Sequence, residues 1–312
     1  MTFANPAIHS GLLRLRHPFS LLVFYGVIAG ASFSIIKIAI GAGVQPLGLV
    51  AWQFIGAAAV MLTVGFLRRE LPAFSLRNLG FYTVSGLPCL ALPMTCMFLA
   101  LEHLPAGVVG LIVSTMPILT YLLALSIGSE RWRWLRVGGI ACGFAGAVLI
   151  LAQGGAFGGS GPAGWVLVAF ISPLMYAIGS LYTGARRPAG ATALTLTTGM
   201  LVVAAVAMVP ISMATGQFYV PRLTGPGVGE SMILIQIAVA SLNYLMFFEI
   251  IRRAGPVYFS QIGYLVTLTA MFWAVLLFAE RYGVGVWAAT VLVFAGIALI
   301  NATSVPGRRR AA

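Results

Sequence analysis

Apolar stretches long enough to cross a lipid bilayer follow one another along almost the whole chain. Of its 312 residues, 60% are hydrophobic and only 8% are charged, whereas a soluble domain carries roughly 25% charged residues. Cutting the chain at charges, prolines and glycine clusters leaves ten apolar segments, and a helix needs about 20 apolar residues to cross a bilayer. These segments, which we call spans 1 to 10, cover residues 20–40, 46–67, 79–101, 106–127, 135–152, 164–184, 193–214, 232–252, 256–279 and 285–303. The sequence therefore predicts an all-α polytopic membrane protein of ten transmembrane helices, with tails at 1–19 and 304–312.

The residue types on which most enzymes rely are scarce in this chain. All six acidic residues are Glu, so no Asp is available for a Ser-His-Asp triad or an aspartyl dyad. The three histidines lie near the N-terminus or at the end of a span, and they form no HExxH zinc motif. Cys89, Cys96 and Cys142 lie in apolar stretches without CxxC spacing, which is typical of small buried hydrophobic residues. We therefore predict that the protein is not an enzyme and binds no metal and no cofactor.

The basic residues are distributed very unevenly between alternate connections. The formal net charge of +12 would suggest a nucleic-acid partner in a soluble protein, but in a membrane protein Lys and Arg mark the cytoplasmic loops. With the N-terminus inside, Arg222 and Arg281 lie outside, Lys37 lies within span 1, and the other fifteen basic residues lie inside. Those fifteen are Arg14, Arg16, Arg68, Arg69, Arg77, Arg131, Arg133, Arg136, Arg186, Arg187, Arg252, Arg253, Arg308, Arg309 and Arg310.

This bias predicts an N-in, C-in topology in a bacterial cytoplasmic (inner) membrane, with both tails cytoplasmic. The expected partners are the lipid bilayer and a small-molecule substrate, and no nucleic acid. Association as a homodimer is left open by the sequence.

The two halves of the chain repeat each other at a shift of 150 residues. This shift lays Glu130-Arg131 over Glu280-Arg281 and Phe144-Ala145-Gly146 over Phe294-Ala295-Gly296 without gaps. Each half holds five spans, an odd number, so the second half must enter the membrane upside down relative to the first. The sequence therefore predicts two inverted five-helix repeats, at 20–152 and 164–303, and inverted repeats are typical of secondary transporters.

Several short motifs follow each other in a characteristic order along the chain. They are Gly30-Ala31-Ser32-Phe33 running to Lys37, Ser114-Thr115-Met116-Pro117, Gly128-Ser129-Glu130-Arg131, Gly139-x3-Gly143-x2-Gly146, and in the second half Tyr264, Ala279-Glu280-Arg281 and Phe294-Ala295-Gly296. In their order, spacing and duplication, the chain resembles the ten-helix EamA-type transporters of the drug/metabolite transporter (DMT) superfamily. It departs from their pattern at Ala29, where tryptophan is common, and at Thr267, where proline is common.

The resemblance implies a central cavity lined by spans 1, 3, 4, 6, 8 and 9, with spans 5 and 10 packed at the periphery. It also implies efflux, with amino acids or related compounds as the substrate class. The composition agrees locally, because span 5 carries Gly139-x3-Gly143, whose small residues allow close helix packing. Spans 3, 4 and 6 contain prolines that free backbone carbonyls and permit bending; these are Pro88, Pro93, Pro117 and Pro173.

Polar side chains at the centre of a span are the candidate substrate-binding residues, because such groups are expensive in lipid and face a bundle interior or a wet cavity. The candidates are Ser32, Ser114, Pro117 at a helix break, Tyr176, Asn243, Tyr244, Tyr264 and Thr267, while Gln53, Thr95, Tyr121 and Ser180 lie one or two turns further out. Ser114 and Thr267 have an alternative role, since hydroxyls also bond to carbonyls of their own helix. The amide of Asn243 could bind either substrate or a neighbouring helix.

Two charged residues within the spans also have alternative roles. Lys37 lies near the outer end of span 1, where it either extends to the outer headgroups or attracts a substrate carboxylate. Glu249 lies three residues before Arg252, so it either pairs with Arg252 or Arg253 or takes part in proton coupling. Because no other carboxylate lies deeper in a span, we favour facilitated or weakly coupled transport.

The leading functional hypothesis is a secondary transporter that exports small polar metabolites by alternating access. The alternatives are a membrane-embedded lipid-modifying enzyme, which the scarcity of catalytic residue types disfavours, and a channel. A channel would need a ring of like charges or carbonyls, which the spans do not show.

Overall fold

The computed structural model describes residues 18–130, 132–152, 163–188, 190–221, 227–255, 258–259, 262–279, 281 and 283–302. Throughout these ranges the regular structure is helical and contains no strand. The predicted tails lie almost entirely outside the described residues, as do Arg131, Arg222 and Glu280.

Within the described ranges, six helices are long and apolar enough to cross a membrane. They are α1 (Pro18–Gly41), α2 (Pro46–Arg68), α3 (Leu76–His103), α7 (Ala163–Arg186), α8 (Ala193–Ala214) and α9 (Val228–Ala254). The others are α4 (Ala106–Val113), α5 (Met116–Ser126), α6 (Trp134–Ala152), α10 (Ile262–Phe278) and α11 (Val284–Ala302). The all-helical prediction is confirmed for the described residues, while the count of ten crossings stays a prediction.

Helix starts coincide with polar residues that satisfy the free N–H groups of the first turn. The Ser75 hydroxyl accepts a hydrogen bond from the Asn78 N–H at 3.3 Å at the start of α3. The Thr192 hydroxyl accepts one from the Thr195 N–H at 3.3 Å at the start of α8. These two caps fix the residues at which α3 and α8 begin.

Proline residues interrupt the helices of the first half near their centres. In α3 a π-helical turn at Leu87–Ala91 contains Pro88, and the fourth span is broken into α4 and α5 just before Pro117. The distorted turn of α3 lies directly against α7, where a Cβ added to Gly179 would come within 2.3 Å of the Cys89 Cβ. The helix breaks predicted from the prolines are therefore present in α3 and between α4 and α5.

The packing between helices repeats when the two halves are exchanged. Helix α1 packs against α9 and α10, and its counterpart α7 packs against α3 and α5. Helices α2 and α8, which are second in their halves, pack against each other, and so do the last helices, α6 and α11. The duplication seen in the sequence is thus also present in the pattern of helix contacts.

The α6 and α11 pair is held together by small residues. A Cβ added to Gly296 of α11 would lie 2.5 Å from the Gly139 carbonyl oxygen and 3.2 Å from the Gly143 nitrogen of α6. Such close backbone approach requires glycine at this position. This contact explains the small-residue spacing of span 5.

Candidate substrate-binding site

A cavity of about 90 Å³ lies between the two halves of the bundle. Most of its described lining residues come from α1, α3, α7, α9 and α10, with single residues from α2, α4, α5 and α8 and none from α6 or α11. The residues from spans 1, 3, 4, 6, 8 and 9 agree with what the resemblance implied, whereas Gln53 of span 2 and Met200 of span 7 are additional lining residues. At about 10–15 Å³ for each water molecule, the volume suffices for several waters.

Three polar side chains form a hydrogen-bonded chain across this cavity. Gln236 of α9 donates from Nε2 to Oε1 of Gln53 in α2 at 2.8 Å. Gln53 donates in turn from its own Nε2 to the Tyr244 hydroxyl at 2.8 Å and makes a weaker contact with the Met94 sulfur at 3.6 Å. All three polar residues are buried, and Gln53 belongs to the first half while Gln236 and Tyr244 belong to the second. The chain therefore ties the two halves together inside the cavity.

Two amide oxygens on α9 are buried and have no hydrogen-bond donor among the residues that the structure describes. They are Oδ1 of Asn243 and Oε1 of Gln236, and both residues line the cavity. A buried carbonyl oxygen that lacks a donor costs about 1–3 kcal/mol. These two oxygens therefore form the part of the cavity that would gain most from a bound ligand.

Apart from the hydroxyl groups of Ser32 and Thr183, the remaining cavity walls are apolar or aromatic. The aromatic rings belong to Tyr25, Phe33, Tyr176, Tyr244, Phe247 and Phe259, and four methionines, Met94, Met97, Met116 and Met200, complete the surface. Phe259 packs edge-on against Tyr25, with ring centroids 5.5 Å apart, and against Phe247 at 4.8 Å. No Lys, Arg, His or Glu occurs among the described residues of this lining.

Four of the residues proposed from the sequence meet in the cavity. Ser32, Tyr176, Asn243 and Tyr244 all belong to its lining. They come from α1, α7 and α9, so tertiary packing brings together side chains that lie far apart in the sequence.

The other proposed residues lie elsewhere or stay undefined. Ser114 and Pro117 are buried beside the lining residues Val113 and Met116 but are not part of the lining. Thr267 donates to the carbonyl of Gly263 in its own helix and to the Gly110 carbonyl of α4. Tyr264 lies within α10, but its side chain is outside the described residues.

The two charged candidates lie away from the cavity. The Lys37 ammonium lies 5.6 Å from the centre of the Phe278 ring, at the end of α10. The Glu249 carboxylate is bonded to the guanidinium groups of Arg252 and Arg253, which is one of the two roles considered from the sequence. Whether Lys37 contacts substrate stays a prediction.

One end of the bundle opens into a wide vestibule with charged walls. Its lining includes Arg68, Glu70, Arg187, Glu249 and Arg252. Each of these residues lies at or near the end of a span that the charge count predicts to be cytoplasmic. Burial, together with the nearby Arg252 guanidinium, lowers the pKa of Arg187 from its ordinary value. The helix ends grouped by the charge count therefore also lie together in space.

The opposite end of the bundle is covered by the segment after α8. The Trp52 indole N–H donates to the Tyr219 carbonyl at 2.7 Å, and the Tyr219 hydroxyl donates to Glu230 at 2.7 Å. Gly48 permits this contact, since an added Cβ would lie 2.3 Å from the Gln217 carbonyl oxygen. The two ends of the bundle thus differ in charge and in how closely they are packed.

Comparison with known proteins agrees with this architecture. A family model described as the EamA-like transporter family matches residues 18–152 and, a second time, residues 163–302. The chain belongs to the EamA-like transporter family. It is therefore a multi-pass membrane protein of a transporter family, and the DMT resemblance is confirmed.

Individual relatives of this EamA-family chain cover most of its length. It is 28% identical to the uncharacterized inner membrane transporter YedA of Escherichia coli (strain K12), over 89% of this chain and 88% of that protein. It is 28% identical to the uncharacterized transporter YvbV of Bacillus subtilis (strain 168), over 72% of each chain. It is 26% identical to the protein PecM of Dickeya dadantii (strain 3937), over 69% of this chain and 71% of PecM. The family assignment thus concerns most of the chain.

The fold also matches a known crystal structure. That structure has 21% sequence identity and superposes with a TM-score of 0.66, covering 90% of this chain and 96% of the other. Identity at this level supports the fold only.

Sequence reasoning missed one member of the polar chain and misplaced another. Gln236 was passed over because the apolar pattern placed the start of span 8 at residue 232, whereas α9 begins at Val228 and carries Gln236 deeper into the bundle. A usable signal was present, since Gln236, Ala240, Asn243 and Phe247 recur at helical spacing along one face of α9. Gln53 was assigned to an outer turn, but its side chain lies at the centre of the chain.

Proposed function

We propose that this EamA-family protein is a secondary transporter of the bacterial inner membrane that exports small polar metabolites, such as amino acids or related compounds. It does so by alternating access, with two inverted five-helix units and with both termini in the cytoplasm. The charged vestibule then faces the cytoplasm, and the end covered by Tyr219 faces outward.

The buried polar chain between the two units is the observation that carries this proposal. Gln53 of the first unit bonds to Gln236 and Tyr244 of the second at 2.8 Å each. In transporters with inverted repeats, the substrate site lies near the membrane midplane, where the repeats meet. A polar cluster at this interface serves both to bind substrate and to couple binding to relative movement of the units.

In this proposal the units rock about the cavity. The hydrogen bonds of Gln53 join the units when the cavity is closed, and they exchange for water when one side opens. Ser32, Tyr176, Asn243 and Tyr244 contact the substrate, because they line the cavity. The proline breaks of α3 and of the α4 and α5 pair provide places where these helices bend.

We further propose that export is facilitated or only weakly coupled to protons. Glu249 is bonded to the guanidinium groups of Arg252 and Arg253, and it lies outside the described lining of the central cavity. Within the described lining of the cavity there is no carboxylate that could carry a proton with the substrate.

The experiment that tests the function is counterflow in liposomes containing the purified protein. Labelled amino acids, nucleosides and amines are screened, with Asn243→Ala as the binding-site variant. Asn78→Ala is the matched control, because this amide lies outside the cavity and bonds to the Ala73 carbonyl at 3.0 Å. Saturable counterflow that Asn243→Ala reduces and Asn78→Ala preserves would support a transporter.

Other outcomes would contradict it. Flux that does not saturate and shows no counterflow would indicate a channel. Chemical conversion of a supplied lipid would indicate an enzyme, and absence of flux for every compound class would remove the proposed substrates.

A further inference from the structure

The central cavity contains two hydrogen-bond acceptors, Oε1 of Gln236 and Oδ1 of Asn243, that have no donor among the described residues. From these two unsatisfied acceptors we infer that the transported compound is an aromatic amine or carboxamide, and that compounds with a free carboxylate or phosphate are poor substrates. This inference rests on the proposed transport function and narrows its substrate class to compounds related to amino acids that lack the free carboxylate.

With the side-chain amides oriented as in this structure, the direction of the hydrogen bonds identifies the groups that the site lacks. Gln236 uses an amide N–H toward Gln53, and Gln53 uses its own N–H groups toward Tyr244 and Met94. The donated hydrogens thus run toward Tyr244 and leave the Gln236 Oε1 atom without a donor at the other end of the chain. Asn243, seven residues further along the same helix, also has an unsatisfied amide oxygen. A ligand that carries N–H groups supplies what both oxygens need.

The charges around the cavity disfavour an anion. None of the described lining residues is Lys, Arg or His, so a carboxylate or phosphate would lose its hydration without gaining a counter-charge. Moving an unpaired ion out of water costs several kcal/mol even after the protein relaxes. Lys37 offers no compensation here, since its ammonium lies over the Phe278 ring at the end of α10.

The walls of the cavity favour an apolar or aromatic body on the ligand. Tyr25, Phe247 and Phe259 already pack edge to face, and Tyr176 and Phe33 add further rings. Aromatic ligands gain both apolar burial and favourable ring geometry in such a site. The same rings attract an ammonium group through its positive charge, which offsets part of its loss of hydration, so the chemistry of the lining favours a protonated amine as well as a neutral carboxamide.

A matched series of phenyl compounds tests this inference by binding to the purified full-length protein. The series consists of phenylalanine, phenylalaninamide, phenethylamine and trimethyl-phenethylammonium. Phenylalaninamide and phenethylamine should bind about tenfold more tightly than phenylalanine, because they lack the carboxylate, which would lose its hydration in the cavity without gaining a counter-charge. Trimethyl-phenethylammonium keeps the charge and the ring but has no N–H donor, so it should bind about a hundredfold more weakly than phenethylamine, about tenfold for each acceptor left without a donor.

Two variants link the preference to the two oxygens. Asn243→Leu and Gln236→Met keep side-chain size but remove the amide, and each should reduce the preference for phenethylamine over its trimethyl analogue by about tenfold. Asn78→Ala should leave the preference unchanged. A double-mutant cycle between Asn243→Leu and loss of the ligand donors isolates this interaction from any general effect on folding.

Several results would overturn the inference. These are equal or tighter binding of phenylalanine, equal binding of trimethyl-phenethylammonium, or no binding by any member of the series. Counterflow in liposomes distinguishes failure of this inference from failure of the proposed transport function. Transport that prefers phenylalanine keeps the function and removes the inference, whereas binding in the expected order without counterflow keeps the inference and removes the transport function.

Discussion

The Gln53 amide donates a hydrogen bond of 2.8 Å to the Tyr244 hydroxyl, and this contact joins two residues that lie in different halves of the chain. The rings of Tyr244 and Phe54 stack beside it with centroids 6.4 Å apart, so the phenol is held by both a polar and an apolar contact. This junction lies at the interface that must rearrange if the two units move.

Gln53→Met should weaken both stability and transport. The variant keeps the length of the side chain but leaves the Gln236 amide and the Tyr244 hydroxyl without their shared partner, at a cost of about 1–3 kcal/mol. We expect a lower thermal midpoint in detergent and counterflow reduced by about tenfold. Gln217→Met is the control, because Gln217 accepts only a long hydrogen bond of 3.4 Å from the Leu47 N–H outside the cavity. Equal transport by Gln53→Met and the native protein would refute a role for this junction.

Gly30→Ala should separate α1 from α10. An added Cβ would lie 2.0 Å from the Thr269 hydroxyl oxygen and 2.8 Å from the Ala270 nitrogen, and overpacking of this kind costs about 1–3 kcal/mol. The thermal midpoint should therefore fall by several degrees. Gly41→Ala in the same helix meets nothing within 4 Å, so it should be neutral. A midpoint for Gly30→Ala that equals or exceeds that of Gly41→Ala would contradict this close packing, since alanine is the better helix former of the two residues.

Glu249→Gln should leave the response of transport to a pH gradient unchanged. The carboxylate is partly exposed and paired with Arg252 and Arg253, and exposed pairs contribute about 0–1 kcal/mol. Flux in proteoliposomes with and without a pH gradient is the measurement, with Glu70→Gln as a control at the same end of the bundle. Strong gradient-driven flux that is lost only in Glu249→Gln would establish proton coupling through this residue.

Lys37→Ala should leave counterflow of an amine substrate unchanged. The ammonium lies over Phe278 and not among the described lining residues of the cavity, so its removal alters no contact with a bound amine. Lys37→Met is the companion variant, because it keeps the apolar stem that packs against helix α10. A selective loss of flux for a compound with a carboxylate, at normal expression, would instead support the role of Lys37 as an attractor of anions.

The sequence predicted much of the fold because the transfer of apolar segments into lipid adds up residue by residue, and because small-residue spacing is visible within one helix. Apolar segments of bilayer length indicate helices wherever they occur, and the Gly139-x3-Gly143 spacing indicated a close helix contact that α11 makes through Gly296. The mid-span position of Asn243 was sufficient to select it, because an amide in lipid needs a partner.

The partners of these polar groups could not be predicted in the same way. Thr267 and Asn243 looked alike in the sequence, as polar residues at the centre of a span. The structure turns Thr267 toward the Gly110 carbonyl and leaves the Asn243 oxygen without a donor beside the cavity. The difference depends on how α10 is rotated against α4, which no local periodicity specifies.

From the sequence alone come the membrane location, the duplication and the set of polar residues that lipid would not accept. Only the tertiary structure decides that Gln53, Gln236 and Tyr244 form one chain, since these residues lie more than 180 positions apart between the halves. Hydropathy measures the transfer of each segment from water to lipid, one segment at a time. A binding site depends instead on the register and rotation of several helices, which are set by close packing at residues such as Gly30 and Gly179.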